Sequence, residues 1–209
     1  MRVLSVNVGA PRQAPNGDRT VLTSIFKQPV PGRVAVRRHN LDGDQQSDLT
    51  VHGGPHKAVY CYPSEHYEFW KTELPGMDLP YPMFGENLTT QGLAEEVACI
   101  GDQFRFGSAV LQVTQPRMPC FKLGVRFGRP DIVKRFWRSG RPGMYFSVVE
   151  EGEVSAGDTI ERTLQAEDGI SVADVVRLYR GEERSPDLLE RALRAPLFGG
   201  WKDGLRERL

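Results

Sequence analysis

Cys120 stands in Gln115-Pro116-Arg117-Met118-Pro119-Cys120-Phe121-Lys122, the stretch of this sequence best suited to chemistry. Pro116 and Pro119 remove two backbone donors and fix φ, so a turn built on them can hold a thiol in one position. Arg117 and Lys122 flank it, and nearby cations favour a thiolate, the form that ligates metal or attacks an electrophile. An incidental cysteine in a basic turn fits the same local residues. Cys61, between Tyr60 and Tyr62, and Cys99, between Ala98 and Ile100, lie in apolar runs and read as core packing.

A second segment runs from Asp48 to Tyr60 and carries His52-Gly53-Gly54-Pro55-His56-Lys57. Gly53 and Gly54 let backbone N–H groups approach a ligand, and His52, His56 and Lys57 add donors, an arrangement able to nest a phosphate. It lacks the glycine spacing and the Ser or Thr of a nucleotide-binding P-loop. A Gly-Gly hairpin turn with exposed basic residues is the alternative, and Gly53-Gly54-Pro55 forbids the helix that would make His52 and His56 a zinc pair. In a third segment, Phe84 to Thr90, Asn87 either offers its amide to a heterocycle's edge or occupies a turn.

These segments need elements to hold them. Up to about residue 160, short runs rich in β-branched and aromatic residues predict strands, beginning with a first strand at the N-terminus. The others are Val21 to Phe26, Gly32 to Arg38, Ala58 to Tyr62, Gln103 to Phe106, Ala109 to Thr114, Tyr145 to Val149 and Thr159 to Arg162. Their spacing predicts a barrel or sandwich. Helices are predicted over Ser64 to Leu74, capped by Ser64, and over Pro130 to Arg138. Glu65, His66 and Glu68 read as a solvated helix face.

Beyond about residue 165 the pattern turns helical, with Ser171 capping Val172 to Tyr179 and Ser185-Pro186-Asp187 opening Leu188 to Leu193. Gly199-Gly200 reads as a break before a last helix carrying Trp201, Leu205 and Leu209. The expected division is a β domain over 1–162 and a three-helix appendage over 163–209. So short a tail must pack on the β domain or on a second subunit, and so could mediate a homodimer.

With 27 Lys plus Arg against 27 Asp plus Glu, no global field draws nucleic acid or an anionic membrane. No stretch approaches the ~18 apolar residues of a membrane span, and no signal-peptide pattern opens the chain. An odd number of widely spaced cysteines, without a C-x-x-C pair, fits a reducing cytoplasm and offers no iron-sulfur relay.

Taken together, the motifs resemble the MOSC family, the domain named for the C-terminal part of molybdenum cofactor sulfurases. The matching pieces are Gly43-Asp44-Gln45-Gln46-Ser47-Asp48-Leu49 with Val51-His52-Gly53-Gly54, then Gly85-Glu86-Asn87-Leu88, Ile100-Gly101-Asp102 and Gln115 to Leu123. The likeness continues through Tyr145, Ser147 and Val148 to Gly152-Glu153-Val154-Ser155-Ala156-Gly157-Asp158. The tail with Trp201 resembles the three-helix domain of the stand-alone YiiM-like branch. Ser47, where the family often has Ala, and His56, where Asp or Asn is common, are departures.

The resemblance implies a mainly β fold, a MOSC-type β-barrel with a few flanking helices and the helical appendage. It implies a pyranopterin molybdenum cofactor ligated by Cys120. The phosphate of such a cofactor needs donors, for which Arg117, Lys122, Lys57 and the Gly53-Gly54 backbone are the candidates; Asn87 is a further cofactor-binding candidate and His52 a catalytic candidate beside Cys120. Pyridoxal phosphate is not expected. The implied activity is reduction of N-hydroxylated bases and related N-hydroxylated compounds, a detoxification. Because no dinucleotide fingerprint or cysteine cluster is present, electrons must come from an external flavin or haem reductase. The rival readings are a non-catalytic carrier of the cofactor or of persulfide sulfur, and a metal-free binding module.

Overall fold

The computed structural model describes residues 1–46 and 54–207. Its strands are β1 (Arg2–Val8), β2 (Arg12–Asn16), β3 (Arg19–Thr23), β4 (Gln28–Pro29), β5 (Val34–Arg37), β6 (Asn40–Leu41) and β7 (Val59–Pro63). They continue with β8 (Leu88–Gln91), β9 (Gln103–Phe106), β10 (Ala109–Pro116), β11 (Met144–Glu150), β12 (Gly152–Val154) and β13 (Ile160–Leu164). Helices are α1 (Glu65–Glu73), α2 (Phe121–Phe127), α3 (Ile132–Ser139), α4 (Val172–Arg180), α5 (Pro186–Arg194) and α6 (Gly199–Arg206).

Eight strands form one sheet in the order β13-β9-β10-β11-β7-β8-β1-β4. The β7–β8 pair is parallel and its other pairs are antiparallel, so the sheet is mixed. Alternation decides which side chains go inside: in β9, Phe104 and Phe106 are buried while Arg105 faces out. Each large apolar side chain so buried contributes about 1.5–3 kcal/mol.

The expected closed barrel is corrected. Among the described residues the sheet is an open ladder, curled until its first strand meets the approach to β13: Arg2 bridges Thr159, and Val3 N–H donates to the Asp158 carbonyl at 2.9 Å. With six helices beside the strands among the described residues, the class is mixed α/β rather than mainly β. Periodicity of short strands reports pairing, whereas closure depends on how far the whole sheet twists.

Four local expectations also change. The segment after Cys120, for which no element is predicted, is a helix, α2. Gly199-Gly200 starts α6 instead of breaking the chain. Ser64 sits at the start of α1 without a capping bond to the helix backbone. His66 is buried, with Nε2 2.7 Å from Glu95 Oε2, and so leaves the solvated face assigned to it.

Ser171 and Ser185 cap as read: Ser171 Oγ accepts from Asp174 N–H at 3.0 Å and Ser185 Oγ from Leu188 N–H at 3.3 Å. Val172, Val175, Leu178, Trp201 and Leu205 share one apolar cluster with the sheet residues Phe104, Leu111 and Phe146. Gly204 lets α6 approach α4, since a Cβ there would lie 2.6 Å from the Tyr179 ring. A second cluster, with Tyr60, Tyr62, Trp70, Phe84 and Phe136, fills the space under α1, α2 and α3.

Candidate functional site

Cys120 stands immediately before α2, at its N-cap position, with extended backbone (φ −127°, ψ 171°), four residues past the end of β10. Its carbonyl accepts from Leu123 N–H at 3.0 Å. The thiol is half-buried and lies where two cavities meet.

The first cavity, about 100 Å³, is lined by Ser24, Lys27, Gln46, Arg117 and Lys122 along with Cys120 and Tyr145. Lys27, Arg117 and Lys122 are all buried. Arg117 is held by the aromatic cluster: its guanidinium carbon lies 4.6 Å from the Tyr60 ring centre and 5.7 Å from that of Phe136, and Nη1 donates to the Phe84 carbonyl. Burial pulls the Lys27 ammonium below its ordinary pKa, and the facing Asp44 carboxylate opposes that shift. Lys27 Nζ and Asp44 Oδ1 form a buried ion pair. Ser24 Oγ is buried and, among the described residues, has no hydrogen-bond partner.

Asn87 is placed behind this wall, outside both cavities. Its Nδ2 donates to Asp44 Oδ2 at 2.9 Å and its Oδ1 accepts from Tyr60 N–H at 3.1 Å. Asp44 Oδ1 also accepts from Gly9 N–H at 2.8 Å. Asn87 thereby fixes the carboxylate that holds Lys27.

The second cavity, about 290 Å³, is lined by Lys57, Gln115, Tyr179, Phe198 and Trp201, again with Cys120 and Tyr145. Thr114 Oγ1 anchors the turn Pro55–Lys57 by donating to the His56 carbonyl at 2.7 Å. Lys57 Nζ lies 5.7 Å from the Phe198 ring centre, and burial lowers its pKa. Burial raises the Tyr145 phenol, with Arg117 opposing, so it keeps its proton at neutral pH.

Cys120, Arg117, Lys122 and Lys57 are therefore brought together, and Gly54, with φ 83°, opens the turn that carries Lys57. His52 and Gly53 lie outside the described residues. Sequence reading missed Lys27, Ser24 and the tail residues Tyr179 and Phe198. Asp44, within Gly43 to Leu49, carries no predicted role. Lys27 gave no signal, because its partner is 17 residues away and the pair exists only once the chain is folded.

Residues 48–161 match the MOSC domain. The uncharacterised protein YflK of Bacillus subtilis is 44% identical over 201 residues, 96% of this chain and 90% of that protein. A protein of Gibberella moniliformis named reductase is 34% identical across 99% of this chain, a match that takes up 37% of the longer protein. The crystal structure of YiiM from Geobacillus stearothermophilus matches with a TM-score of 0.81 at 32% identity, covering 100% of this chain and 98% of that one. Sequence and fold agree over nearly the full length, and the chain belongs to the MOSC domain family, in its YiiM-like branch.

Proposed function

We propose that this protein is a molybdenum-cofactor-dependent reductase of N-hydroxylated bases and related N-hydroxylated compounds. The observation that carries the reading is the Cys120 thiol at the meeting of a cationic and an aromatic cavity. The donor set fits a pyranopterin molybdenum group. A cysteine sulfur is a soft ligand for such a metal, the buried Lys27, Arg117 and Lys122 match a phosphate, and the unpartnered Ser24 Oγ has a bond left to give. When bound, the cofactor supplies a centre that exchanges electrons in pairs and accepts oxygen.

The chain's own residues do the rest. Cys120 Sγ holds the metal, Arg117 and Lys122 bind the phosphate, and Asn87 with Asp44 keeps Lys27 in place. The Gly53-Gly54 backbone and His52 are proposed as further donors to the bound group, and Lys57 lines the second cavity, across the thiol from the three cations. Tyr145 lines both cavities and keeps its phenolic proton there. Two electrons and two protons turn R–NHOH into R–NH₂ and water, with the electrons delivered by an external flavin or haem reductase. A carrier needs the cationic side alone, so the aromatic cavity on the far side of the thiol favours an enzyme.

The test is elemental analysis of the purified protein beside Cys120→Ala, then turnover of 6-hydroxylaminopurine with a chemical reductant. Stoichiometric molybdenum lost in the variant, with turnover in wild type only, is the expected result. Metal without turnover would leave a carrier.

A further inference from the structure

The two cavities at Cys120 offer unlike partners. The cationic one presents three buried positive side chains. The other presents the rings of Tyr145, Tyr179, Phe198 and Trp201, a single cation in Lys57, and Gln115. Gln115 is 3% exposed, and its Oε1 is buried with no hydrogen-bond partner among the described residues. Leaving a buried acceptor unpaired is costly, and a ligand donor recovers that cost. At about 290 Å³ the cavity lies near the lower end of small-molecule clefts, roughly 300 Å³.

We infer that the aromatic cavity is the substrate subsite, that it takes a small flat heterocycle between its rings, and that Gln115 Oε1 accepts a hydrogen bond from an N–H or O–H of that molecule. The cofactor's phosphate goes to the side with three cations, which leaves the ring-lined side for a neutral heterocycle. Ring faces supply stacking that tolerates many heterocycles, and the single acceptor supplies orientation. Tyr179 comes from α4 and Phe198 from the approach to α6, so the helical tail shapes what reaches Cys120. The inference rests on the reductase reading for the reaction, not for the binding.

Calorimetric titration of wild type, Gln115→Met and Phe198→Ala tests it, with two probes and with molybdenum measured in each preparation. One probe is 6-hydroxylaminopurine; the other, 6-(N-methoxy-N-methylamino)-9-methylpurine, has no N–H or O–H. Gln115→Met weakens the first about tenfold and leaves the second unchanged, a coupling that a merely structural role does not produce. Phe198→Ala weakens both by a similar factor. Gln115→Asn, which withdraws the acceptor by one methylene, gives the same selective loss and serves if the Met variant does not fold. Equal loss of both probes on changing Gln115, or no loss of either, overturns the assignment. Molybdenum that falls in Gln115→Met overturns it too, by moving Gln115 to the cofactor. The selective loss in Gln115→Met, found with wild type that holds no molybdenum, keeps the subsite and removes the reductase.

Discussion

The two walls around Cys120 are held by opposite means. On one side a buried lysine, aspartate and asparagine lock one another, and no member can be removed without stranding a buried charge or amide. On the other, ring packing among Trp137, Tyr179 and Trp201 carries the wall up to Phe198, which is 40% exposed. The first wall is all-or-none, and the second can be trimmed from its edge. Binding of a fixed anionic group suits the former, and selection among related rings suits the latter.

The largest effect expected from breaking this contrast is Asp44→Ala. It strands Lys27 in the interior and costs about 3–5 kcal/mol in urea unfolding, with molybdenum retention falling alongside. A cost below about 1 kcal/mol would mean the cationic wall is as forgiving as the aromatic one. Trp201→Ala costs about 3 kcal/mol by leaving a cavity under α4, and spares molybdenum content.

Glu86 sharpens the contrast through pH. It is fully buried, Tyr67 Oη and Thr89 Oγ1 both donate to its Oε1, and Oε2 has no partner among the described residues. Burial pushes this carboxyl above its ordinary 4.5, while Tyr67, its own backbone N–H, Thr89 and Arg117 pull it down. A raised folded-state pKa gives stability that is full below the unfolded value and lost as pH rises through the folded one. Glu86→Gln is therefore expected to gain on wild type as denaturation is followed from about pH 4 to about pH 8. A flat difference would remove burial as the dominant cause.

Smaller effects belong to the tail. Ser171→Ala removes the α4 capping box and costs about 1 kcal/mol. Phe198→Ala, on an exposed ring, shifts stability by less than about 0.5 kcal/mol while changing purine affinity, which separates folding from recognition on that wall.

Local patterns were readable where the cause is local. The Ser171 and Ser185 caps, the alternation of β9 and the proline-bounded thiol all depend on residues a few positions apart. α2 was missed because it spans one short stretch, Phe121–Phe127, that includes Gly124. His66 was misplaced because Glu95, its partner, lies 29 residues on. Lys27 with Asp44, and Gln115 with Tyr179 and Phe198, are juxtapositions made by the whole fold, so no window of sequence displays them. The open sheet was hidden for the same reason.

The seam at β1 has a consequence for synthesis. Met1 to Val3 bond to Gly157 to Ile160, and β1 also pairs with β8, so β1 emerges long before its partners exist. Such long-range closure slows folding and leaves β1 with open edges on the ribosome. A nascent chain stalled before residue 157 would display β1 without its partner at the seam, which makes it a client for chaperones.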